Sequence, residues 1–296
     1  MLDQLPHRGL EQWKWSDVRA AAGGFDRAAF EQSATLGLTL PSGIDEQSAN
    51  DLEAFDADLP RLAAAFAPDA MTVVIPDGDT PELPLDITPA THGNARMVVV
   101  VGEGAELTVN ERYATKAGGF SNLDIRYIVK DGGTLTRSVV TQDGTEVVRN
   151  VHASVTLSAG ATFKQTQLTF GSALTRLETR VACMGTVEIE MSGAYLLSGK
   201  RHADITNYID FTTPGSTARD AVAGVTTDKA RGVFQGKFHV RRPAQQTDAV
   251  MRHDALMLSD TSKINAKPEL EIYADDVLCE HGNTIGQLDE QALFYM

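Results

Sequence analysis

The chain has 296 residues, 42% hydrophobic and 22% charged, a balance that suits a globular protein with one sizeable core. Its formal net charge of −14 disfavours nucleic acid and anionic membrane as partners, since both present negative surfaces. Two cysteines, Cys183 and Cys279, are too few for a disulfide framework and fit a reducing compartment, although a single bridge between them stays open.

The first residues, Met1 to Gly9, carry an early acid and no apolar stretch, so a secretory signal is not expected. The longest aliphatic run, Val98 to Val101, is too short to span a bilayer. A cytoplasmic protein is the expectation. Residues from Ser16 to Phe66 read mainly as helix, with Ser16-Asp17 as an N-cap and Gly23-Gly24 as a stop. Leu52, Phe55, Leu59, Leu62 and Phe66 recur at helical steps and form a face for packing on the main body, with Pro60 kinking or dividing the helix. Trp13 and Trp15 read as apolar anchors for this segment. A helical N-terminal segment over residues 1–70 is therefore predicted.

From Met71 the texture changes to short β-branched runs between glycine turns. Met71 to Ile75 is the first, and the stretch from Pro76 to Pro89, with four prolines, reads largely as loop. Similar turns recur at Gly104, Gly133, Gly160 and Gly185, separated by 29, 27 and 25 residues. A repeating turn-plus-strand unit of this length suits a β-solenoid, whose coils bury their inner faces only by stacking. An antiparallel sandwich uses similar short strands, and the spacing alone does not choose between them.

Gly102-Glu103-Gly104 precedes a strand and lacks the helix N-terminus that would hold a phosphate. Leu197-Ser198-Gly199-Lys200-Arg201 resembles the end of a P-loop, but Ala194 stands where its first glycine belongs and Arg201 where Ser or Thr belongs. Both read as turns. His202, His239, His253 and His281 lie in the β-rich half; His239 and His253 read as surface or core histidines. Asp275-Asp276 point to opposite faces if extended, and a turn role accepting backbone N–H bonds is favoured over an acid pair. Cys279 and His281, two apart, can present thiolate and imidazole side by side, a pairing that suits zinc, copper or iron–sulfur species. By spacing alone the bland reading of a core cysteine is preferred.

The C-terminal string from Lys267 to Tyr295, with Asp275-Asp276-Val277-Leu278-Cys279-Glu280-His281-Gly282 at its centre, resembles the signature of the SufB/SufD family of the Suf iron–sulfur cluster assembly machinery, nearer its SufD branch. Gly232-Val233-Phe234-Gln235-Gly236-Lys237 and Ala244-Gln245-Gln246-Thr247-Asp248-Ala249 resemble two further family blocks, and Glu11-Gln12-Trp13-Lys14-Trp15-Ser16-Asp17 its Trp-Lys-aromatic motif. The resemblance implies a mainly β protein: a right-handed parallel β-helix core over residues 71–296 behind the short α-helical segment. It also implies a non-enzymatic SufD-like scaffold, with His281 first and Cys279 second as cofactor-binding and metal-ligating residues. These would hold a transient iron–sulfur cluster at an interface with a SufB-like subunit or a second copy. Around His202 the family carries further histidine and lysine positions, where this chain has Phe211 and Ala223. Longer members continue into a helical domain that docks the ATPase SufC, and with this sequence ending at Met296, a SufC-type ATPase is the partner least supported. The alternative class is a β-helix carbohydrate-active lyase or hydrolase, which needs acids and bases converging in a groove.

Overall fold

The computed structural model describes residues 5–49, 58–89 and 91–287. Its strands are β1 (Leu36–Thr39), β2 (Glu46–Ala49), β3 (Ala70–Ile75), β4 (Leu85–Pro89), β5 (Gly93–Val101), β6 (Glu106–Tyr113), β7 (Gly119–Val129), β8 (Thr134–Thr141) and β9 (Val147–Leu157). They continue with β10 (Thr162–Thr169), β11 (Leu174–Cys183), β12 (Glu188–Leu197), β13 (His202–Phe211), β14 (Thr217–Thr226), β15 (Arg231–Val240), β16 (Asp248–Met257), β17 (Lys263–Ile272) and β18 (Leu278–Gln287). Two short helices, α1 (Val18–Ala21) and α2 (Asp58–Phe66), precede the strand run from β3.

From β3 onward successive strands alternate between two sheets, odd-numbered strands in one and even-numbered strands in the other. Within each sheet the neighbours are parallel, as in Thr162↔Thr134 and Thr162↔Glu188 on the even sheet. A chain that returns to the same sheet every second strand, always in the same direction, is a parallel β-helix. The sandwich alternative would need antiparallel neighbours throughout. Among the described strands the antiparallel pairs are β1 with β4 and β2 with β3, at the start of the coil stack.

Inward-facing rows run from coil to coil. Leu107, Leu135, Phe163, Ile189, Ala218 and Ala249 form one such row in register, all buried. The turns stack as well, one residue away from the sequence expectation at the second position. Gly104, Gly132 and Gly160 all have positive φ, and a Cβ on Gly132 would lie 3.9 Å from the Gly104 Cα. Gly132, rather than Gly133, takes the left-handed position that a side chain disfavours. On the next rung the Gly160 N–H donates to Thr186 O at 2.8 Å, so Gly185 falls one place off the column.

The expectation of a mainly helical segment from Ser16 to Phe66 is corrected: its described part is mostly short turns and two strands. Leu36-Gly37-Leu38-Thr39 alternates about β1, which pairs with β4, while β2 pairs with β3. Strand pairing with the first coil outweighs local helical preference there. Asp17 caps α1, its Oδ1 accepting from Ala20 N at 2.8 Å. Pro60 is the third residue of described α2, which runs on to Phe66. Leu52 and Phe55 lie outside the described residues, as does Leu288 to Met296. The Pro76-to-Pro89 stretch is largely loop as expected, up to its last residues, which form β4, with prolines only at the strand's end and just before it.

The N-terminal segment lies across the outer face of the odd sheet. Leu5, Trp13, Val18, Phe30 and Leu59 pack there on Phe120, Val148 and Leu174. A polar ladder holds its backbone: Asn122 Nδ2 donates to Asn94 Oδ1 and to Leu59 O, Asn150 Nδ2 donates to Asn122 Oδ1, and Asn94 Nδ2 donates to Phe30 O. Further along, Trp13 lies under the Arg176 guanidinium, 4.1 Å from ring centroid to Cζ, and Ser16 Oγ donates to Asp204. Trp13 is the anchor expected of it; Trp15 is half-exposed.

The coil interior holds charge. Arg137 donates to both Glu111 oxygens, at 2.5 and 2.9 Å, and Tyr113 and Tyr127 hydroxyls each donate to the same carboxylate at 2.6 Å. Arg137 also reaches Gln165 Oε1, so the pair is nearly fully satisfied although buried. Asp220 has less help. It is buried with Asn207 Nδ2 donating to its two oxygens at 2.9 and 3.0 Å, and burial pushes its pKa up to about 7 against those bonds.

Two consequences are measurable. Arg137→Met should cost about 3–5 kcal/mol in urea unfolding, because it strands Glu111 in the core, whereas the double change Arg137→Met/Glu111→Met should recover most of that loss. A single variant as stable as the parent would contradict this. For Asp220 the folded state keeps a proton that the unfolded chain releases near the ordinary carboxylate pKa, roughly 4. Stability contributed by that proton is present at low pH and declines as pH rises towards 7. Asp220→Asn should therefore raise the melting temperature more at about pH 8, above that window, than at about pH 4, at its lower edge; an equal effect at both would exclude a buried neutral acid.

Candidate functional site at the open end of the coil stack

β18 is the last described strand of the even sheet and pairs in parallel with β16, matching Ala249↔Cys279, Met251↔His281 and His253↔Asn283. Ala249, Met251 and His253 point into the coil interior and are 0% exposed. Register therefore puts Cys279, His281 and Asn283 on the inward-facing side too, one rung beyond them. The surroundings differ because no described strand pairs beyond β17 or β18. Cys279 is half-buried against the core, while His281 and Asn283 are exposed. A side that is interior along most of the stack is a surface at the last described rung.

Sulfur and imidazole thus stand two residues apart on one face, as extended spacing requires. Burial pushes the Cys279 thiol pKa up, only partly offset by a backbone hydrogen bond from Ala249. The sulfur is therefore a protonated thiol at neutral pH, which a metal must deprotonate on binding. A Cβ on Gly282 would meet nothing within 4 Å, so the backbone beside His281 is open to approach. Around this end Ile272, Tyr273, Leu278 and Ile285 are exposed, Leu278 at 72%, an apolar collection of the kind that marks a contact surface.

The other histidines do not join this pair in one site. His239 lies on the outer face of the odd sheet with Tyr208 and Asp210, and His202 begins β13 at a corner, its pKa pushed down to about 3 by burial and by Arg231. His253 is a core residue whose Nε2 meets Tyr195 Oη at 3.0 Å and whose Nδ1 meets Asn283 Oδ1 at 2.8 Å. That arrangement ties the exposed Asn283 to the interior. Asp275 and Asp276 occupy the β17–β18 turn as expected, but their backbone N–H groups donate to Gln245 Oε1 rather than their carboxylates accepting. Cys183 is buried in the core and both cysteines are free.

Sequence reasoning passed over Asp220, Asn283 and the exposed apolar group. Asp220, Met251 and His281 form one inward row, so the buried acid lies two rungs below the imidazole. The step from strand to strand of the same sheet would have placed them, had the strand ends been known. Among the described residues no group of three or more His, Cys, Asp or Glu side chains is gathered to hold a metal, and no helix is long and apolar enough to cross a membrane.

Residues 87–296 match the family model described as SUF system FeS cluster assembly, SufBD core domain. The chain is similar to the iron–sulfur cluster assembly protein SufD of Escherichia coli (strain K12), at 26% identity over 80% of this chain and 59% of that protein. It is also 26% identical to the chloroplastic protein ABCI7 of Arabidopsis thaliana, over 77% of this chain and 52% of that one. An iron–sulfur cluster assembly SufBD family protein of Synechocystis is 23% identical over 99% of this chain and 78% of its own length. The chain thus spans little more than half the length of the first two relatives.

Two ligands are too few for a stable site, which generally uses about four. The isolated chain should bind zinc or ferrous iron only weakly, and the affinity should rise about tenfold per pH unit while the thiol proton has to be displaced. Titration with a competing chelator at several pH values checks both; a tight site with no pH dependence would contradict them.

Proposed function

The chain belongs to the SufBD family of the SUF iron–sulfur cluster assembly system, and from that premise we propose that it is a non-enzymatic, cytoplasmic, SufD-like scaffold subunit. Its cargo is a nascent iron–sulfur cluster, held between the open end of its coil stack and a second chain. The observation that carries this reading is the position of Cys279 and His281: inward-facing by register, yet with His281 exposed and Cys279 half-buried, because no described strand pairs beyond β18. His281 supplies an imidazole nitrogen to iron, and Cys279 supplies sulfur once its proton is displaced. The second chain, a SufB-like subunit or another copy of this one, supplies the remaining ligands.

Three features support an end-on partner. The outer edges of β17 and β18 carry unpaired backbone groups among the described residues, a template for further strands. Exposed Ile272, Tyr273, Leu278 and Ile285 surround the same end. Burial raises the Cys279 thiol pKa, so thiolate forms chiefly when a metal displaces the proton, which suits a site completed only by a partner. The carbohydrate-active alternative finds no support in Asp275 and Asp276, which belong to a turn.

His281→Ala should abolish maturation of an iron–sulfur reporter enzyme in a Suf-dependent strain while leaving the melting temperature of the purified chain nearly unchanged. Cys279→Ala should impair maturation too, and the double variant should be hardly worse than the more severe single one, because residues acting as a unit are non-additive. Normal maturation with a folded His281→Ala protein would remove the site. A loss of about 1–3 kcal/mol in stability with maturation intact would instead mark a structural histidine.

A further inference from the structure

At the corner where the chain enters β13, β15 and β17, a hollow of about 600 Å³ is lined by Lys200, Lys229, Arg231, Lys263 and His202, with Asp260 as its one carboxylate. The lining is unusual for a chain of net charge −14. Register explains the convergence. His202↔Arg231 and Arg231↔Lys263 are direct partners on neighbouring strands. Beside them Lys229 N donates to Gly199 O at 2.8 Å, and the Asp228 carboxylate accepts from Gly199 N, so the turns carrying Lys200 and Lys229 stack as well. The result is two columns of cations, each rung about 4.8 Å from the next.

Like charges on adjacent rungs repel. Elsewhere on this sheet the cations are matched by acids, Lys237 by Glu271 at 2.5 Å and Lys267 by Glu11 at 2.8 Å. In the hollow, by contrast, the four cations take part in no ion pair among the described residues, and Asp260 accepts from Gln287. The His202 Nε2 is buried and has no hydrogen-bond partner among them. Repulsion among four cations without ion pairs and a hollow with room for a small molecule both call for an anionic complement.

We propose that this corner binds a small anion bearing two or more adjacent phosphoryl groups. Lys200 and Lys229 contact one end of the phosphoryl chain from the turn, and Arg231 and Lys263 hold the other from the strand starts. The planar Arg231 fork suits two phosphoryl oxygens at once. Recognition comes from side-chain charge on stacked coils, not from a P-loop, whose glycine and hydroxyl positions Ala194 and Arg201 occupy. Long nucleic acids are disfavoured by the negative charge of the rest of the chain. The inference stands apart from the cluster site, which lies on the even sheet.

Isothermal titration at low salt with inorganic pyrophosphate and tripolyphosphate tests it. The parent chain should bind both, with affinity falling as salt rises. Lys200→Glu/Lys229→Glu should bind at least ~10-fold more weakly, the effect expected when two phosphoryl contacts are reversed in sign. Lys116→Glu/Lys164→Glu, the same change of net charge at exposed sites elsewhere, should bind like the parent. Tripolyphosphate matching ATP supports recognition through the phosphoryl chain. Any of three results overturns the proposal: no pyrophosphate binding at millimolar concentration, equal losses in the two double variants, or binding of ATP with tripolyphosphate inert.

Discussion

Every coil of a parallel β-helix satisfies its backbone by pairing with the coils on either side, so the first and last coils each present two unpaired sheet edges. Here the two ends are treated differently. At the first coil the N-terminal segment turns back and pairs antiparallel, β1 with β4 on the even sheet and β2 with β3 on the odd one. At the other end β17 and β18 have no described strand beyond them. One end is closed by the chain itself, and among the described residues the other presents edges, apolar side chains and the two candidate ligands together.

This asymmetry accounts for the unusual character of the Cys279–His281 pair. Along the stack, the rows containing them hold Leu107, Val109, Arg137, Phe163, Ile189 and Met251, all buried. A histidine placed mid-row would be a core residue, as His253 is. At the last rung the same inward direction leads out to the surface. The two candidate side chains are thus fixed by strand pairing on one side, with no described strand on the other, the arrangement needed if a second chain completes the coordination. Rigid elements hold such a pair in place better than a loop would.

The repeat was legible because turn glycines and alternating strands recur at nearly constant intervals, although position 133 was read where Gly132 holds the positive φ. The Asn ladder was legible in principle. Asn94, Asn122 and Asn150 are 28 residues apart, the coil length in this part of the stack, and only that period distinguishes them from scattered surface amides. The strands β1 and β2 were hidden for a physical reason: four residues each, they have little local signal and owe their conformation to pairing with β4 and β3. Cys279 and His281 were visible as a motif, but their exposure was not, since it depends on the pairing of β18, beyond which no strand is described. Asp220 looked like any strand acid until register carried it inside.

The central claim is that the open end is where a second chain joins. Amide hydrogen exchange on the purified chain, alone and mixed with a SufB-like partner, tests it most directly. The account predicts that protection gained on mixing concentrates in β17 and β18, with the amides of β1 to β4 unchanged. Protection gained at β1 to β4 or along the outer face of the even sheet, with β17 and β18 unaffected, would contradict it.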